Sequence, residues 1–269
     1  MKRSGAILAL ALAAGPGLVQ GQEGGATGSQ ASLIFGVAGT FTTNTSLWAV
    51  PNQPLLLTSP PADTLDLTRV IDGGLGLMFY GMYFPKKNFG LSGEVFFLGT
   101  DYEDECKVAF TTGDGGPNPN PTRTVCADVD ATSRSTATVM LTVGGVARLS
   151  PRGAVSPYLR AAGGLALINR SSVAMAGQAG GLVRVIYSDD NTRSVSPAAV
   201  LGLGFTAQSK RGGYQVRMEI RDNIIGYDAV TGAGPLGGGR PPTEVNYHHF
   251  FTFLIGFEVV LEKSRGRRY

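Results

Sequence analysis

No apolar run in this 269-residue chain reaches the ~20 residues that a membrane-spanning helix needs, so helical insertion is excluded. Histidine and cysteine occur twice each and tryptophan once. Two thiols with no histidine beside them do not complete a zinc site, and no cofactor or metal is expected. The formal net charge is only +3. With its basic residues scattered, the chain lacks the footprint of a nucleic-acid binder. Segments such as GPLGGGRPP, around residues 234–242, carry no phosphate-cradling pattern and no following helix. What is abundant is glycine, with 39 residues, alongside 43% hydrophobic residues. That combination argues against wholesale disorder and for closely packed, strongly bent strands.

The N-terminus runs from Met1, Lys2 and Arg3 through an apolar stretch, Ala6 to Ala14, to small residues ending at Gly21. It predicts a secretory signal over residues 1–21, cut after Gly21. Residues 22–30 form a flexible lead-in. In a secreted chain, Cys106 and Cys126, both in one polar segment, are expected to form a local disulfide.

The rest alternates with a period of two, the mark of strands with unlike faces. Residues 247–261 are the clearest case: Tyr247, His249, Phe251, Phe253, Ile255, Phe257, Val259 and Leu261 share one face, while Thr252, Gly256 and Glu258 lie on the other. Similar alternation predicts strands near residues 31–43, 65–84, 89–102, 134–150, 157–170, 194–208 and 214–225. Short turns join some of them. Residues 44–64, 103–133, 171–192 and 228–243 read as long loops, although 182–187 has the pattern to extend a strand. Eight strands with alternating long and short connections predict an all-β fold, an eight-stranded antiparallel up-and-down transmembrane β-barrel over residues 31–262. A lipocalin-like soluble barrel would put its apolar face inside. Here that face lies opposite the charges on strand after strand, which favours lipid outside.

This pattern resembles the small outer-membrane β-barrel superfamily of Gram-negative bacteria, which includes the OmpA transmembrane domain, OmpX and OmpW. The resemblance covers about residues 31–261. It implies a bacterial outer-membrane location, contact with outer-membrane lipids and lipopolysaccharide, and insertion by the barrel-assembly machinery. Short turns are then periplasmic and long loops extracellular. Members usually end on an aromatic residue closing the last strand; here a basic tail, residues 263–269, follows.

By parity the lumen receives Glu94, Arg148, Arg160, Arg217, Glu219, Arg221 and Glu258. Buried charges must pair to offset desolvation, so a structural ion-pair network is expected, with a gate that rearranges as the sharper alternative. Adjacent His248 and His249 point to opposite faces and do not bind one metal together. No Ser nucleophile stands at a recognisable spacing from His248, so the expectation is a protein without catalytic activity; a lipid-modifying enzyme is the minor alternative. The acidic residues Asp101, Glu103, Asp104, Glu105, Asp128 and Asp130 lack the EF-hand spacing and read as solvated loop. Asp189, Asp190 and Asn191 read as a turn. The functional expectation is an envelope-structural or small-solute passage role, the alternative being a surface-interaction barrel whose long loops bind an extracellular ligand.

Overall fold

A computed structural model describes residues 31–55, 63–86, 88–111, 120–150, 154–168, 173–188, 194–208 and 213–262. The predicted signal, lead-in and basic tail lie outside them, as does the Asp189–Asn191 triplet.

Eight staves form a closed antiparallel ring. Strand β1 (Ser32–Thr42) is continued by β2 (Thr45–Leu55), and β3 (Asp63–Asp72) by β4 (Leu75–Phe84). The remaining staves are β5 (Phe89–Phe110), β6 (Ser133–Arg148), β7 (Val155–Ile168), β10 (Val195–Gln208), β11 (Tyr214–Val230) and β12 (Thr243–Glu262). Closure is made by β1 on β12, in register from Ser32 opposite Glu262 to Thr42 opposite Thr252. This removes the open edges that a bilayer would not tolerate.

Residues 65–84 are expected as one strand, and the pairing with β5 shows why that is nearly so. Asp72 faces Asp101 and Gly76 faces Leu98, so three residues of one strand oppose two of the other. That is a one-residue bulge. It flips the faces: Met78, Tyr80 and Met82 are buried in β4, but Leu65, Leu67, Arg69 and Ile71 in β3.

Three expected loops are corrected. Residues 44–64 do not form a loop throughout, because β2 carries the first stave on to Leu55 with Leu47, Trp48 and Val50 buried. Residues 103–133 contain the end of β5 and a helix, α1 (Pro121–Asp130). Asn120 caps that helix, its side-chain oxygen accepting from Thr122 N at 2.9 Å, and Pro121 occupies the first turn, where no donor is lost. Residues 171–192 contain a hairpin, β8 (Met175–Ala179) and β9 (Leu182–Tyr187), turned by Gly180 and Gly181, both at positive φ.

The barrel has two storeys with opposite layering. In the lower one, toward the short turns, Phe35, Phe79, Leu91, Leu141, Leu159, Leu203, Ile220 and Phe253 are exposed, while charged side chains are buried inside. From Phe251 to Leu261 the outward row of β12 spans about 33 Å at roughly 3.3 Å per residue, which a tilt of about 40° reduces to about 25 Å, the height of a transmembrane apolar band. In the upper storey the layering inverts. Trp48, Leu65, Leu67, Tyr102, Val125, Val129, Met175, Ile186 and Tyr187 form an apolar interior under α1 and the β8–β9 hairpin. Outside it, Asp101, Glu103 and Glu105 face solvent.

Candidate functional site

The lower lumen is organised by β11, which turns Gln215, Arg217, Glu219, Arg221 and Asn223 inward on successive alternate positions. Facing strands supply their partners. Arg160 on β7 contacts Glu94 on β5 (Nη1 to Oε2, 2.5 Å), and Arg221 reaches the other oxygen of Glu94 at 3.1 Å. Arg221 Nε also lies 3.2 Å from Glu219 Oε1, Glu219 is held by Arg217, and Arg217 Nη1 is 3.4 Å from Glu258 Oε1. Thr142 donates to Glu94 at 2.8 Å, Tyr158 to Glu219 at 2.7 Å, and Gln215 to Glu258. Arg160, Glu94, Arg221, Glu219, Arg217 and Glu258 thus form one chain of three cations and three carboxylates, all buried.

Aromatic rings pack this chain. Tyr80 and Tyr158 lie 4.8 and 4.7 Å from the Arg217 guanidinium. The Tyr80 ring fits because Gly36 and Gly256, on either side of the β1–β12 seam, leave room that a Cβ would fill.

Arg148, grouped with these residues by parity, stands apart. Its guanidinium lies 3.8 Å over the Phe84 ring near the short-turn end, and it makes no ion pair among the described residues.

The two histidines do point to opposite faces. His249 is exposed, its Nδ1 2.6 Å from Asp222 Oδ2, and His248 turns toward Tyr227, ring centres 6.1 Å apart. The acidic residues of the upper storey separate into different roles. Asp104 faces inward and pairs with Arg69, Asp128 accepts from Gln178 N at 2.8 Å, and Asp130 accepts from Cys106 N at 3.4 Å. Among the described residues no group of His, Cys, Asp or Glu is placed to hold a metal ion. Cys106 and Cys126 are disulfide-bonded, tying α1 to β5.

Sequence reasoning missed a second buried constellation, in the upper storey. Arg69 forks onto Asp104 and donates to Ala174 O at 2.9 Å, with the rings of Trp48 and Tyr102 at 5.4 and 5.5 Å. Higher still, Gln53 Oε1 accepts from Tyr187 OH at 2.8 Å and from Gly234 N at 2.7 Å, joining β2, β9 and the β11–β12 connection.

A closed eight-stranded ring with an apolar outer belt, a charged interior and an ordered upper storey defines an integral membrane β-barrel. No protein-family model matches the chain, and no curated protein matches it in sequence. Among solved structures it is similar to the outer membrane protein OprG from Pseudomonas aeruginosa, at a TM-score of 0.48 and 10% identity over 87% of this chain and 98% of that one. It is also similar to Neisserial surface protein A, at 0.40 and 11% over 85% and 96%. A third is Ail, the attachment invasion locus protein of Yersinia pestis, solved with the heparin analogue sucrose octasulfate, at 0.38 and 10% over 87% and 99%.

Proposed function

We propose that this chain is a sealed, non-enzymatic barrel of the bacterial outer membrane that presents its upper storey outside the cell as a binding surface. One observation carries the reading. The lumen is filled at belt height by a charge-balanced chain of buried ion pairs, whereas the long-loop end is built into a second, disulfide-braced core. Buried ion pairs add little net stability over apolar packing, so their use here fits a barrel that must be polar inside and closed. Lipids and lipopolysaccharide surround the belt, the barrel-assembly machinery inserts it, and the partner of the upper storey is an extracellular ligand.

Small-solute passage is the second reading, and one feature favours it. Glu94 and Glu219 are each held by two arginines, so a pair can be exchanged without leaving a carboxylate bare.

Planar bilayers separate the two. The sealed reading expects no unitary conductance from the wild type, and discrete steps would overturn it. The binding role is tested by deleting residues 112–132. Loss of binding to cells with unchanged heat-modifiable mobility supports it, and unchanged binding counts against it.

A further inference from the structure

The upper storey contains a cavity of about 260 Å³ that belongs to neither buried ion-pair cluster. Its walls come from three elements: Pro54 and Leu55 at the end of β2, Val183 to Ile186 of β9, and Gly237 and Gly238 between β11 and β12. Two properties distinguish it. The first is charge. Arg184 lines the cavity half-buried, with no hydrogen-bond or ion-pair partner among the described residues, whereas Arg69, Arg160, Arg217 and Arg221 are all paired. The second is the wall. Pro54 and Leu55 give it apolar side chains, while Val183 and Val185, 65% and 45% accessible, alternate with Arg184 and stand on the opposite face of β9.

The β9 backbone adds polar capacity on the same side. Among the described residues sheet β8–β9 has only two strands, so the outer edge of β9 has no ladder there. Ala179 and Leu182 flank the two-residue turn and form the hydrogen-bonded pair, so Val183 and Val185 direct N–H and C=O away from β8. Gly238 comes up against the Val185 carbonyl there, at a positive φ.

We propose that this cavity binds a small aliphatic carboxylate, with the Arg184 guanidinium taking the carboxylate and Pro54 and Leu55 the hydrocarbon. The guanidinium fork matches a planar carboxylate, and a monoanion balances its single charge. Drug-sized ligands occupy pockets of about 300–1,000 Å³, so this smaller space sets the ligand as a short-chain body. The inference goes beyond the presentation reading and does not depend on whether the lumen conducts.

The test is calorimetric titration of hexanoate into the full-length protein in lipid nanodiscs, with empty discs subtracted and hexanol as the uncharged control. Saturable one-site binding is expected, with a Kd on the order of 1 mM or tighter for so small a ligand. Arg184→Gln, in which no partner is lost, should weaken hexanoate about tenfold, as expected for losing a charge-assisted contact, while heat-modifiable mobility stays that of the wild type. Arg184→Lys keeps the charge and should bind between the two. Hexanoate binding that is absent, unchanged by Arg184→Gln, or equalled by hexanol would overturn the proposal.

Discussion

Arg69 on β3 and Asp104 on β5 form a two-pronged pair, Nε to Oδ1 at 2.5 Å and Nη2 to Oδ2 at 2.7 Å, inside the largely apolar upper storey. Removing one partner strands the other charge away from water, which costs about 3–5 kcal/mol. Asp104→Ala should therefore lower the upper storey's stability by roughly that amount. The protein's one tryptophan, Trp48, lies 5.4 Å from the Arg69 guanidinium and reports on this region alone. A urea titration followed by its fluorescence should show an earlier transition while the barrel keeps its folded gel mobility. An unchanged Trp48 transition would contradict this.

That pair also marks where the sequence stops being readable by alternation. Below the bulge at Gly73 and Gly74, parity places side chains as the structure does: Glu94, Arg160, Arg217, Glu219, Arg221 and Glu258 are all interior. The reason is physical, since a stave between lipid and a polar lumen cannot slip by one residue without exchanging its two solvents. Above the bulge the faces of β3 invert, so counting from Leu75 or Phe79 puts Arg69 on the outside. The signal was local: Leu65, Leu67 and Ile71 share parity with Arg69, and a strand that keeps its apolar residues buried must carry Arg69 with them. Strand β2 was harder to read. Its register shifts twice against β3, between Ser46 and Trp48 and between Val50 and Gln53, so no period of two survives. Which charges touch is also beyond parity. Arg148 shares the inward face, but only its position near the short-turn end separates it from the ion-pair chain.

Alkaline pH should loosen the upper storey before the barrel. Burial pushes the Tyr102 hydroxyl up to about 12, with the nearby Arg69 acting in the opposite direction, and burial also raises Tyr187. A phenol neutral in the folded state and ionised in the unfolded one gives stability that is complete below pH 10 and lost as pH rises toward 12. Two pH units correspond to roughly 3 kcal/mol for Tyr102. Urea midpoints read by Trp48 fluorescence should fall between pH 10 and 12, and less steeply in Tyr102→Phe. Parallel slopes in the two proteins would refute the assignment.

The Cys106–Cys126 bridge closes a loop with a sequence separation of 20 and fastens α1 against β5. Chain-entropy arguments give such a loop about 3 kcal/mol. Cys106→Ser/Cys126→Ser, or reduction, should speed proteolysis within residues 111–132 while leaving β11 and β12 protected. A nonreducing gel unaffected by reductant, with two thiols open to alkylation, would show the bridge absent in the native protein.

The closing seam makes the most local prediction. Tyr80 on β4 lies across Gly36 on β1 and Gly256 on β12, and a Cβ at Gly36 would overlap its ring. The ring cannot retreat, because the Arg217 guanidinium stands 4.8 Å from its centre and Arg217 is itself held by Glu219 and Glu258. Gly36→Val should therefore strain the contact of the first and last staves, where overpacking costs about 1–3 kcal/mol. Its measure is the yield of heat-modifiable barrel on refolding into detergent or lipid. Shrinking the ring gives the diagnostic: in Tyr80→Ala/Gly36→Val the overlap is gone, so the double variant should refold better than Gly36→Val alone, a coupling that independent sites do not show. If the two losses simply add, Tyr80 does not occupy the space over Gly36, and closure of the ring rests on the β1–β12 ladder without it.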